Sequence, residues 1–268
     1  MTRRRLLRAL AVLVALYAAV CGVARATYRS FLYPAPPWSP TPPDARLMTV
    51  TTADGKAAHA LDYASPGDAT VVVWMHGNGE TAESSVDLVA ELRAWGAGSV
   101  FLEYRGYGAS AQSGPPTEDG LYADAAAVLD ALAARGSGKD AIVLVGYSLG
   151  TGVAAEMARR GRARAAVLFA PFTSIPAVAS AMVPVLPMSL VIGDAFDTLS
   201  KAPKLDLPIT VVHGTADEVV PYWMGERVSK ALPRATFHRV EGGHHTDLFS
   251  GERAEDVMAA LRAAVSAR

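Results

Sequence analysis

Apolar residues follow three different rhythms along this chain. The first is an unbroken run from Ala9 to Ala24, preceded by the basic stretch 2–8 (TRRRLLR). A charged n-region followed by an apolar h-region has this shape. As a helix the run measures about 24 Å at ~1.5 Å per residue, against a hydrocarbon core of about 30 Å, and Leu6 and Leu7 extend it if Arg8 snorkels. Two readings stay open: an uncleaved membrane anchor, or an export signal removed at the small-x-small triplet Ala24-Arg25-Ala26. A soluble amphipathic helix fits less well, because no polar face interrupts the run. With Arg3, Arg4 and Arg5 held inside, the rest of the chain faces outward, so the folded domain is expected outside the cytoplasm, tethered or exported.

The second rhythm alternates short apolar runs with helical periodicity. Segments 47–52 and 59–64 predict short strands about an Asp54-Gly55 turn. Residues 70–75 (TVVVWM) form a continuous apolar run, as a strand buried on both faces requires. Further strands are expected at 98–104, 142–145, 164–169, 208–213 and 235–240. Helices are expected at 82–95, 118–135, 149–160, 222–232 and 251–266. This alternation predicts an α/β fold, a mostly parallel central sheet with helices on both faces.

The third rhythm is irregular. Residues 28–46 hold six prolines, whose fixed φ and missing N–H favour an extended tether. Residues 171–206 hold five prolines among Ile175, Val178, Met182, Val183, Val185, Leu186 and Met188. An insert after a strand is where a lid over a pocket sits; a packed helical excursion is the equal alternative. The expected organisation is a membrane anchor or signal segment over 1–27, the tether over 28–46, and one domain over 47–268 with its lid insert at about 171–206.

Composition narrows the function classes. The chain has 268 residues, half of them hydrophobic (51%), enough for a sizeable core. The net charge of −1 with no basic block beyond the first eight residues argues against nucleic-acid binding. Cys21 is the one cysteine, so the domain holds no disulfide, and Val20 before it is larger than a lipoprotein site takes. No His-x-x-x-His pattern, cysteine pair or dinucleotide fingerprint is present, so neither a metal nor an organic cofactor is expected.

The strongest chemical signal is Gly146-Tyr147-Ser148-Leu149-Gly150, a G-x-S-x-G between an apolar strand and a helix. On such a sharp strand-to-helix turn the serine hydroxyl is presented beside the helix N-terminus, and small residues two positions either side let the turn pack. A serine is a weak nucleophile until a base takes its proton. In chain order the acid comes next. Asp217 follows the strand 208–213, whereas Asp194, Asp197 and Asp206 follow no expected strand. The base belongs after strand 235–240, where His244 and His245 stand side by side; spacing alone does not choose between them. His59, His213 and His238 lie on or beside strands, in packing or hydrogen-bonding roles. His76 precedes the nucleophile in the chain, which favours a structural role. For an oxyanion hole the backbone N–H of Leu149 and that of Asn78, in the loop after strand 70–75, are the expected donors.

Together, His76-Gly77-Asn78-Gly79, Tyr104-Arg105-Gly106-Tyr107-Gly108, Gly146-Tyr147-Ser148-Leu149-Gly150, Ala170-Pro171-Phe172-Thr173-Ser174 and His213-Gly214-x-x-Asp217 resemble the Bem46-like branch of the α/β-hydrolases, with its α/β-hydrolase domain-containing (ABHD) relatives. The resemblance runs from about residue 30 to the end and implies an N-terminal membrane segment. In that branch the base sits in a His-Asn-Asp triplet; His245-Thr246-Asp247 matches it with Thr for Asn, so His245 is chosen and His244 is the alternative. Glu103 stands where the pattern often has Asp, and Tyr104 and Arg105 are expected to shape the loop. The resemblance implies a serine hydrolase acting on carboxylic esters or thioesters of lipid-like or acylated substrates, through Ser148, His245 and Asp217. A serine peptidase and a non-catalytic binding protein on the same fold are the competing readings.

Overall fold

The computed structural model describes residues 3–36, 40–64 and 69–267. Thr2 of the basic stretch and 37–39 of the expected tether lie outside the described residues. The strands are β1 (Arg46–Thr51), β2 (Ala57–Asp62), β3 (Val71–Met75), β4 (Gly98–Glu103), β5 (Ile142–Tyr147), β6 (Ala165–Phe169), β7 (Ile209–Gly214) and β8 (Ala235–Val240). They form a single sheet in the order β1-β2-β4-β3-β5-β6-β7-β8. β1–β2 and β2–β4 pair antiparallel; β4 through β8 are parallel throughout. This is the α/β-hydrolase architecture expected from the alternation of elements.

The helices are α1 (Arg3–Leu32), α2 (Leu88–Ala94), α3 (Glu118–Ala134), α4 (Leu149–Arg159), α5 (Ile175–Met182), α6 (Met188–Val191), α7 (Thr198–Lys201), α8 (Tyr222–Ala231) and α9 (Ala254–Ser266). Alternate residues of β3 face the two layers. Val71, Val73 and Met75 pack with Leu121 and Val128 of α3 and Val153 of α4. Val72 and Trp74 pack with Leu92 of α2 and Leu261 of α9. Every β3 residue is buried, which is why its run is apolar without interruption. Each such side chain contributes about 1.5–3 kcal/mol over leaving it in water.

Three expectations are adjusted. The helix expected over 82–95 is a 3-10 turn at Ala82–Ser85 followed by α2. The Thr81 N–H donates to the Ser84 hydroxyl at 3.0 Å, the local bonding by which serines compete with α-helix. Likewise the helix expected from 251 begins with a 3-10 turn before α9. Finally, α1 continues through residues 28–32, which the tether reading made extended. The prolines that favour extension begin only at Pro34, and Tyr28 and Arg29 find partners in the insert. Tyr33 is buried in the core, so this end of the segment is packed rather than free.

The chain leaves β3 to one side for β4 and returns on the other side for β5. That reversal opens a crevice at the carboxyl ends of β3 and β5, the place where open α/β sheets bind ligands. The loop after β3, the turn after β5 and the loops after β7 and β8 all reach this edge.

Candidate active site

Ser148 sits at the turn between β5 and α4 with φ 49° and ψ −115°, a left-handed conformation costly for a residue with a side chain. The turn is held from both sides. The Ser148 N–H donates to the Phe169 carbonyl at 3.0 Å, and the Ser148 carbonyl accepts from the Thr151 hydroxyl at 2.6 Å. A Cβ at Gly150 would lie 2.0 Å from the Met75 carbonyl oxygen, and one at Gly146 would lie 2.5 Å from the Gly150 carbonyl oxygen. Both glycines are therefore required for the helix to start this close to the sheet. The hydroxyl stands beside the N-terminus of α4, whose first N–H groups lack intrahelical partners.

The loop after β8 brings His245, not His244, to this serine. His245 Nε2 is 3.0 Å from Ser148 Oγ, and His245 Nδ1 is 2.8 Å from Asp217 Oδ2. These contacts set the tautomer: Nδ1–H donates to the carboxylate and Nε2 is free to accept from the hydroxyl. The His245 side chain is 7% exposed. The His244 side chain is 56% exposed and turned away to Glu218, with Nδ1 3.1 Å from Oε2.

Asp217 is fully enclosed at its carboxylate. Oδ1 accepts the N–H groups of Val219 at 2.9 Å and Val220 at 2.7 Å. His213 Nε2 lies 3.3 Å from Oδ2 and donates to the Val220 carbonyl at 2.9 Å. Burial alone would raise this carboxyl, but the hydrogen bonds from His213, His245 and Val220 outweigh it and hold Asp217 well below the usual range. The carboxylate is therefore charged at neutral pH, as a partner for an imidazole that gains a proton must be.

Other expected positions have clear surroundings. Asn78 and Leu149 line the same cavity as Ser148. His76 is buried, with Nδ1 2.8 Å from the Gly77 carbonyl, Nε2 3.3 Å from Glu103 and its ring against Tyr104. It lies in the supporting layer rather than against Ser148. Arg105 bridges Asp124 and Asp54, both at 2.7 Å, and so braces the loop after β4. Of the rival acids, Asp197 caps α7 and Asp194 faces α1; neither reaches the serine.

Ser148 opens into a cavity of about 500 Å³, within the ~300–1,000 Å³ typical of small-molecule sites. The insert supplies one wall through Phe172, Ile175, Val178, Met182 and Met188, and the facing wall is the end of α1. No carboxylate lines it among the described residues.

Two features were not anticipated from sequence. Tyr147 occupies the variable position of G-x-S-x-G; its hydroxyl donates to the His245 carbonyl at 2.6 Å, and its ring stacks on the imidazole at 5.4 Å. Burial pushes its phenol up, so it stays a donor. The second feature is the part played by α1 as a cavity wall. Residues 21, 24, 28 and 32 are partly buried while the rest of the helix is exposed, a spacing of three or four that marks one contacting face.

Comparison with known proteins agrees with this architecture. Residues 67–193 match the family described as serine aminopeptidase, S33. The chain is similar to α/β-hydrolase domain-containing protein 17B of Homo sapiens, at 31% identity over 75% of this chain and 69% of that protein. It is also 31% identical to an uncharacterized Mycobacterium tuberculosis protein over 80% of this chain and 77% of the relative. In fold it resembles the Pyrococcus furiosus esterase PF2001, with a TM-score of 0.67 and 18% identity over 86% of this chain and 97% of that one.

Proposed function

The chain belongs to the α/β-hydrolase family, among its ABHD-like members, and on that footing we propose that it is a serine hydrolase cleaving carboxylic ester or thioester bonds of lipid-like or acylated substrates. The observation that carries this reading is the continuous hydrogen-bond path from the Ser148 hydroxyl through His245 to Asp217, at 3.0 and 2.8 Å.

In the first step Ser148 Oγ attacks the substrate carbonyl carbon while His245 Nε2 takes the hydroxyl proton. Asp217 holds the imidazole in place and stabilises its charged form. The carbonyl π pair moves onto oxygen, and the N–H groups of Leu149 and Asn78 stabilise that oxyanion. Collapse breaks the bond to the leaving oxygen or sulfur, which takes the proton from His245 and departs as alcohol or thiol. Water then attacks the acyl-serine with His245 again as base, releasing the carboxylic acid and restoring the serine.

The apolar cavity favours an acyl chain. An aminopeptidase holds a free amine with a facing carboxylate, and the absence of one along the described lining weighs against that reading. The helix α1, long and apolar enough to cross a bilayer, supports membrane anchoring, and the basic residues before its apolar run favour a domain on the outer side.

A fluorophosphonate probe tests the proposal. Wild type should be labelled, and Ser148→Ala should lose labelling and at least about ten-thousand-fold in ester turnover. A folded wild-type protein that takes no label and cleaves no p-nitrophenyl ester would leave a binding protein instead.

A further inference from the structure

The N-terminal helix touches the rest of the protein along one face, and that face ends at the cavity. Ala24, Thr27, Tyr28, Phe31 and Leu32 all line the space that opens on Ser148. Positions 24, 27, 28 and 31 fall on one side of a helix, as this arrangement needs. The helix is held there by specific bonds. Arg29 Nε donates to Asp194 Oδ2 at 2.8 Å, and the Tyr28 hydroxyl donates to the same oxygen at 2.9 Å. Asp194 is buried and also accepts the Glu118 N–H, so this contact reaches the start of α3. Arg25 Nη1 donates to the Val191 carbonyl at 3.0 Å. The Asn78 side-chain amide donates to the Leu32 carbonyl at 3.1 Å, joining the end of α1 to the loop beside the nucleophile.

Depth matters as well as contact. The Tyr17 hydroxyl donates to the Val185 carbonyl at 2.8 Å. Tyr17 lies about 12 Å along the helix from Arg25, at ~1.5 Å per residue, and inside the apolar run. The loop joining α5 and α6 therefore lies beside the membrane segment and not beyond its end. The insert exposes Met182 at 65%, Val185 at 72% and Leu190 at 74%. Large apolar side chains left open next to an apolar helix are suited to hydrocarbon, not water.

We propose that the end of α1, from Ala24 to Leu32, is a wall of the acyl-binding site, and that this site takes the chain of a long-chain acyl ester resident in the bilayer. The proposal rests on the serine hydrolase reading. It adds that α1 is part of the binding site and stays attached past Ala24-Arg25-Ala26. An acyl chain that enters between α1 and the insert passes from lipid to an apolar cavity and need not cross water. The unfavourable exposure of the acyl chain to water is thereby avoided.

The test uses the full-length protein in phosphatidylcholine vesicles, with p-nitrophenyl palmitate and p-nitrophenyl acetate as substrates and a short-chain fluorophosphonate as a check on Ser148. Ala24→Phe and Thr27→Phe each place a ring on the wall. In variants that still take the short-chain probe, the palmitate-to-acetate ratio of kcat/KM should fall by about tenfold or more, the discrimination a blocked apolar pocket gives. An unchanged ratio in both labelled variants would overturn the wall while leaving the Ser148 reading intact. Wild type that takes no probe would overturn the hydrolase reading, and this proposal with it. Mature protein beginning near Thr27 would also overturn the wall, because Ala24 and Arg25 would be gone.

Discussion

At the strand ends, Ser148, His245 and Asp217 are joined by hydrogen bonds of 3.0 and 2.8 Å, and each is braced in turn by Thr151, Tyr147, Val220 or His213. Across the cavity, α1 and the insert present mostly hydrocarbon, and they are joined to each other through Asp194 and the Val191 carbonyl. The first region sets donor and acceptor atoms at hydrogen-bond distance, as proton transfer needs. The second fixes only a surface, which is all that the proposed acyl chain needs. A change in the polar region should therefore affect all substrates alike, whereas a change in the apolar wall should sort them by chain length.

Three substitutions put that contrast at risk in decreasing order of effect. His245→Ala removes the proposed base and should cost about ten-thousand-fold in kcat/KM on acetate and palmitate esters equally. A loss confined to one chain length would break the division of labour. Tyr147→Phe removes a hydrogen bond to the His245 backbone but keeps the stacked ring. It should lower kcat by about tenfold with little change in KM, read from initial rates on both esters. A change in KM alone would move Tyr147 to the binding side. His244→Ala should leave kcat/KM within about twofold, because an exposed side chain paired to Glu218 contributes little; a large loss would mean that the two histidines exchange places during turnover.

Legibility in the sequence divides along the same line. The turn at Ser148 was readable because its causes are local: an apolar strand, glycines at 146 and 150, and a helix start. Asp217 and the end of β7 were readable for the same reason. The choice of His245 was not open to spacing. It depends on how the loop after β8 turns, with Gly242 at φ 62° and the His244 N–H bonded to Asp247 at 2.7 Å. Tyr147 was hidden because its position in the motif carries no chemical requirement. The wall was hidden more deeply. Nothing near Tyr28 or Arg29 points to Asp194, more than a hundred residues on, and the prolines from Pro34 masked the helical end of α1. Asp194 itself drew notice only as a rival acid, since a buried carboxylate in an irregular segment gives no hint of which cation it meets.

The manner in which α1 grips its partner bears on how this enzyme type can diversify. Tyr17 and Arg25 bind the carbonyls of Val185 and Val191, and Asn78 binds that of Leu32. A main-chain oxygen is the same whatever side chain it accompanies. Residues of the insert other than Asp194 can therefore be exchanged for larger or smaller ones, redrawing the cavity, while these backbone clasps are left as they were.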